Sequence, residues 1–239
     1  MLFNTAQDCQ VDFEVLNEIL NKYCSEWVPF SNEEFISSII KYNNSSTSDF
    51  NKLSWRHLKC TVKNDSYLKK IINIANECFK LGHWLSHFKI SMSIIIPKPN
   101  KESYDFPKSF RPIILLNTLG KLIKKVIDNR LQFYLILNNF IYLSQLGGLK
   151  QRSTLDAGVT LIYFICLEWV KQKRTSTLVF DIAQFFPSLN HQLLPLILKK
   201  AIFDPKVECF FSNYLVGRKT WYFWNSFSSP FFNVDIGVG

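Results

Sequence analysis

Glycine is scarce, at 8 of 239 residues, which argues against a glycine-rich all-β design. The six cysteines, Cys9, Cys24, Cys60, Cys78, Cys166 and Cys209, are scattered and form no CxxC pair. That spacing excludes the common zinc frameworks and a disulfide scaffold, and it suits a reducing compartment. No N-terminal stretch runs from basic to apolar as a secretory leader does. The strongly apolar uncharged run of residues 157–167 has 11 residues, against the roughly 20 that a membrane-spanning helix needs. Repeats and low-complexity tracts are missing, and so is any Asp-Asp pair.

Charge of one sign is in excess. Twenty-eight Lys and Arg against 19 Asp and Glu leave +9, with a pI near 9.2. A basic balance of that size favours polyanionic partners, nucleic acid above all. Hydrophobic residues make up 47% of the chain and aromatics 15%, with 22 Phe, enough for a core in one large domain or two small ones.

The apolar spacing predicts an amphipathic helix over residues 11–27 and a second opened by the capping box Ser31/Glu34. A polar loop follows over residues 43–49. The next helix carries Leu68, Ile72, Ala75 and Phe79 on one side and stops at Gly82. Residues 89–96 read as a strand ended by Pro97, residues 110–116 as its partner, and the basic stretch between them as an exposed hairpin arm. A long helix over 118–137 puts Lys121, Lys124 and Lys125 on its polar face. Ser153 with Asp156 caps another helix, in which Cys166 reads as a core thiol, as does Cys78 in the earlier one. A strand is expected at 178–182, central in its sheet. A helix is expected over 190–201, and another from the Asp204-Pro205 cap to Gly217. Residues 221–224 and 231–234 read as a closing hairpin. Helices, a hairpin, then helices around a strand make an α+β fold.

Chemistry concentrates at four places. Leu178-Val179-Phe180-Asp181-Ile182 carries one carboxylate on an apolar strand, which suits a divalent cation held beside substrate phosphates. Lys98 follows one strand of the hairpin, and Arg111 opens the other. The loop Gly147-Gly148-Leu149-Lys150-Gln151-Arg152 offers backbone N–H groups and cations. Phosphoryl transfer asks a protein for little else than cations on the phosphates and carboxylates on the metal. Taken singly, Lys98 and Arg111 also read as solvated surface charges, and Phe186 as a core aromatic.

Six stretches carry a more specific likeness: IIIPKPNK (94–101), SFRPIILLNTLGKLIKK (109–125), NRL (129–131), QLGGLKQRSTLDAG (145–158), FDIAQFFPSLNH (180–191) and YLVGRKTWYFWN (214–225). In this order and spacing they resemble the reverse transcriptase of non-LTR, LINE-type retrotransposons, in a form common in fungi. The resemblance implies a right-hand polymerase fold. Residues 1–88 would be a helical N-terminal extension of the fingers, 89–175 the fingers, and 176–239 a partial palm. It implies that Lys98 and Arg111 grip the incoming deoxynucleoside triphosphate. Asp181 and the Ile182 carbonyl would hold a catalytic metal, and Phe186 would exclude a ribose 2′-OH. Gln145, Gly147, Gly148, Lys150 and Arg152 would lie along the template. The implied cofactor is Mg²⁺, two ions in the complete site. The implied partners are an RNA template, a DNA primer and a deoxynucleotide, in the nucleus or cytoplasm and with no membrane.

The chain departs from that pattern in ways that matter. It shows neither the nucleotide-binding Gln-Gly-Ser turn nor the paired aspartates that the resemblance leads one to look for after Gly239. The expectation is therefore a domain cut before the second and third palm motifs, without a thumb. Ser46-Thr47-Ser48 stands where Pro-Gly is frequent, and Lys124 where Glu is frequent. Two readings follow: a fragment of an RNA-directed DNA polymerase, or a catalytically dead remnant that at most binds nucleic acid non-specifically.

Overall fold

The computed structural model describes residues 28–142, 144–183, 185–200, 204–224 and 226–237. The helix read at 11–27 lies outside them. The described residues pack as two units, one running to residue 123 and resuming at 186, the other of residues 124–185.

In the larger unit the first elements are α1 (Asn32–Ile40), α2 (Trp55–Thr61) and α3 (Asp65–Lys80). Ser31 caps α1 as expected: its side chain accepts from the Glu34 amide while Glu34 accepts from the Ser31 amide. Asn64 caps α3 through the Ser66 N–H. α3 ends in a Schellman turn, with Gly82 N–H on the Phe79 carbonyl at 3.0 Å and His83 N–H on that of Cys78 at 2.8 Å. Gly82 sits at φ +58°, and a Cβ there would run into the Cys209 side chain. Both the dihedral and the close approach require glycine. Gly82→Ala should cost about 1–3 kcal/mol, the scale of a non-glycine residue forced into a left-handed position. Urea unfolding of the two proteins checks this, and equal midpoints would refute it.

The core here is aromatic. Phe79 stacks on Phe210 at 5.4 Å, and Trp84 meets Phe210 and Tyr214 edge-on at 5.4 and 5.6 Å. Phe210 and Tyr214 belong to α7 (Pro205–Leu215), which opens with Asp204 accepting from the Lys206 amide and Pro205 in its first turn. Cys78 is buried in the same layer, and burial pushes its thiol pKa up because the charged form loses its hydration. A helix α6 (Leu193–Lys200) precedes α7.

Strand β1 (Ile90–Pro97) pairs antiparallel with β2 (Phe110–Leu116) in the expected hairpin, with Ile94 opposite Ile113 and Ile96 opposite Arg111. Its other edge pairs in parallel with β3 (Lys219–Trp224), with Ser91 opposite Thr220 and Ser93 opposite Tyr222. β4 (Phe227–Ser228) and β5 (Phe232–Asn233) both lie antiparallel on β3. The sheet order is β2-β1-β3-β4, with β5 beside β3. The closing hairpin thus forms, in two short pieces on one long strand. The β1–β3 seam is polar and buried: Ser93 Oγ lies 2.8 Å from Thr220 Oγ1, and Ser91, Ser93 and Thr220 are all buried.

α4 (Thr118–Leu137) follows β2 and buries Leu122, Ile123, Val126 and Ile127. Its start is held from both sides. Asn117 Oδ1 accepts from the Gly120 amide at 3.0 Å. Asp49, only 4% exposed, accepts from the Thr118 amide at 2.8 Å.

In the unit of residues 124–185, α5 (Thr154–Val170) is capped by Ser153 and Asp156 as expected. The Ser153 hydroxyl and amide hold the Asp156 carboxyl below its ordinary range. α5 buries none of its residues. Cys166 is therefore exposed rather than the core thiol its apolar neighbours suggest. The strand expected at 178–182 does not form either: these residues have no bridge partner among the described residues. Val179 and Phe180 are 83% and 82% exposed. β-propensity is a local preference, whereas a ladder and burial must come from another strand.

Among the described residues no helix is long and apolar enough to cross a membrane.

Candidate nucleotide and template site

Lys98 and Arg111 are placed by the hairpin. The Lys98 amide donates to the Ser109 carbonyl at 2.8 Å, which carries the β1–β2 ladder one rung past Pro97. Arg111 is directly opposite Ile96, so Lys98 and Arg111 fall on one face as diagonal neighbours, a spacing of about 7–8 Å between backbones. Arg111 is exposed. Lys98 is half-buried and its ammonium donates to the Lys108 carbonyl at 2.7 Å. The arm between them is ordered by its own side chains. Tyr104 Oη donates to the Lys98 carbonyl and Ser109 Oγ to that of Ser103, both at 2.7 Å. The Tyr104 ring packs edge-on against Phe110 at 5.8 Å, and Phe110 against Trp224 at 5.8 Å. In a stretch that reads only as an exposed basic arm, Tyr104 is the signal that it folds back on itself.

The loop of residues 145–152 is closed by one of its own cations. Arg152 Nη1 donates to the Gln145 carbonyl at 2.6 Å, so part of this guanidinium shapes the loop. Gln145 Nε2 donates to the Gly147 carbonyl at 3.4 Å. From α4, Gln132 Nε2 reaches both Asp128 oxygens at 3.2 Å and the Gly148 carbonyl at 3.5 Å, while Lys125 pairs with Asp128 at 2.7 Å. Lys150 is exposed. Gly148 has φ +76°, a left-handed position that favours glycine. Gly147 does not take a positive φ, and a Cβ there would meet nothing within 4 Å. Neither backbone strain nor internal packing explains a glycine at 147; close approach of an outside partner to its backbone would.

Asp181 and Ile182 lie in the exposed segment that stays out of the sheet. Phe186 opens the second segment of the larger unit and is 64% exposed, so it is not the core aromatic that composition alone suggests. Behind it the chain turns, and Asn190 bridges antiparallel to Ile236. His191 was read only as the end of a motif; its Nε2 lies 2.6 Å from the Gly237 carbonyl. Among the described residues no three His, Cys, Asp or Glu side chains cluster as a metal site.

Residues 96–234 match the family model described as reverse transcriptase (RNA-dependent DNA polymerase). The chain is similar to the RNA-directed DNA polymerase from mobile element jockey of Drosophila funebris, 26% identical over 155 residues, which is 65% of this chain and 17% of that protein. It is also similar to the probable RNA-directed DNA polymerase from transposon BS of Drosophila melanogaster, 27% identical over 146 residues, 61% of this chain and 16% of that protein. The matched region spans about one sixth of the length of these relatives.

Proposed function

Because the chain belongs to the reverse transcriptase family, we propose that it contributes fingers and the first part of a palm to an RNA-directed DNA polymerase of a non-LTR retrotransposon. In this reading residues 1–88 extend the fingers, 89–175 complete them and 176–239 begin the palm. The observation that carries it is the family match across residues 96–234. The hairpin register supports it by putting Lys98 and Arg111 on one face. There, two cations suit the phosphates of an incoming deoxynucleotide, with Arg111 offering the bidentate fork. Phe186 would face the sugar, and Gln145, Gly147, Gly148, Lys150 and Arg152 would follow an RNA template paired to a DNA primer.

The Asp181 carboxylate and the Ile182 carbonyl are hard oxygen donors of the kind Mg²⁺ takes together with phosphates and water. They fit a share of one ion. They do not make up a two-ion set, since among the described residues no three His, Cys, Asp or Glu side chains cluster as a metal site. When bound, Mg²⁺ would neutralise developing charge on the transferred phosphoryl group; the residues here orient that group and the template. The lone carboxylate also favours a second reading, a remnant that binds nucleic acid without catalysis.

The first reading requires a template path, and the second allows non-specific binding on the same surface. Labelled single-stranded RNA should bind the polypeptide in the non-specific range of about 10⁻⁴–10⁻⁶ M and weaken as salt rises. Reversing charge at Lys150 and Arg152 should weaken it further and flatten the salt slope by roughly 0.7 per lost phosphate contact on a single strand. Fluorescence anisotropy across a salt series measures both. A folded protein that binds no RNA at low salt would remove the template assignment.

A further inference from the structure

The turn after Phe186 is clamped by a segment 46 positions further on. The Gly237 amide donates to the Leu189 carbonyl at 2.8 Å, Asn190 bridges to Ile236, and His191 Nε2 lies 2.6 Å from the Gly237 carbonyl. A carbonyl only accepts, so Nε2 carries the hydrogen; the neutral Nε2–H tautomer and the imidazolium both make this bond. Gly237 has φ +81°, and a Cβ on it would stand 2.7 Å from the Pro187 carbonyl oxygen and 3.0 Å from that of Phe186. The backbone of Gly237 is therefore pressed against the peptide that carries the Phe186 ring. The rotamers open to Phe186, which is 64% exposed, depend on the backbone that carries it.

We propose that His191 is a positioning residue for Phe186: by fixing Gly237 against the Phe186–Pro187 turn, it sets where the ring meets the sugar of a bound nucleotide. This inference rests on the reading of Phe186 as the group that excludes a 2′-OH. His191 touches no reacting atom; it acts through Gly237 and the turn.

The test is the preference for dATP over ATP, measured by competition against a fluorescent deoxynucleotide on the 239-residue polypeptide loaded with a template–primer duplex. Phe186→Ala should abolish the preference. His191→Phe, which keeps a ring but lacks the donor, should reduce it by about fivefold, the scale of one net hydrogen bond. His191→Gln, whose amide can donate from a similar reach, should stay within about twofold of the parent. Thermal melts of the variants identify any that fail to fold. In that case Gly237→Ala, which forces the same segment away, supplies the same readout. A preference untouched in folded His191→Phe but abolished by Phe186→Ala overturns the positioning role. No preference in the parent, or none lost in Phe186→Ala, overturns the reading of Phe186 and this inference with it.

Discussion

Primer extension by the 239-residue polypeptide on a poly(rA)/oligo(dT) substrate should yield no template-directed product, with Mg²⁺ or with Mn²⁺. The sequence holds no Asp-Asp pair, and among the described residues no acidic cluster forms around Asp181. In-line phosphoryl transfer uses two metals to steady the attacking and the leaving oxygen. Removing even one preorganised electrostatic group costs about 10²–10³ in rate, and these residues supply one carboxylate on an exposed, unpaired segment. Replacing Asp181 with Ala should therefore leave the assay unchanged. Template-dependent product that Asp181→Ala abolishes would show that this polypeptide assembles a working site by itself.

The largest loss of stability is expected at Asp49. Its Oδ1 accepts from the amides of Asn51 and Leu53, both at 2.9 Å, and its Oδ2 from Thr118 at 2.8 Å. The carboxylate thus ties a surface loop to the first residue of α4, where the helix dipole favours negative charge. Asp49→Ala leaves three backbone donors to be satisfied elsewhere, and each buried donor left unpaired costs about 1–3 kcal/mol. Partial rescue by water brings the expected loss to about 3 kcal/mol, a fall in melting temperature of about 6–12 °C for a chain of this size. Asp49→Asn keeps one acceptor and should lie between. A melt of Asp49→Ala within about 2 °C of the parent would show that the loop and the helix start do not need the carboxylate.

Asp49 also marks where sequence reading stops. It ended a polar loop in the sequence, and its role as the cap of a helix 69 positions away has no local signature. Features decided within a few residues were legible: the boxes at Ser31 and Ser153, the Gly82 stop, the Asp204-Pro205 opening, the β1–β2 hairpin and both ends of α4. The place of Lys98 and Arg111 on the hairpin was legible for the same reason, since the hairpin sets it with no help from the rest of the chain. The short helix α2 left too few periodic positions to be read. The parallel β1–β3 seam joins residues 129 apart, and its alternating serines look like a solvent face until Thr220 is set against them. The strand at 178–182 failed for the converse reason: its apolar residues satisfied every local rule, but no partner pairs with them among the described residues. His191 stood in plain view at the end of a motif, while its partner, Gly237, contributes only a carbonyl.

The parallel seam has a consequence in time. β1 cannot pair with β3, nor can Phe79 and Trp84 stack on Phe210, until more than a hundred further residues have been made. At the usual 5–20 residues per second, a ribosome takes roughly 6–25 s to cover that interval. Throughout it, the faces of Phe79 and Trp84 that meet Phe210 and the inner edge of the hairpin wait for their partners. Folding of this unit is therefore a late event that depends on contacts far apart in sequence, of the class that forms slowly. A nascent chain paused between α4 and α6 is the form of this protein most exposed to capture by chaperones or proteases.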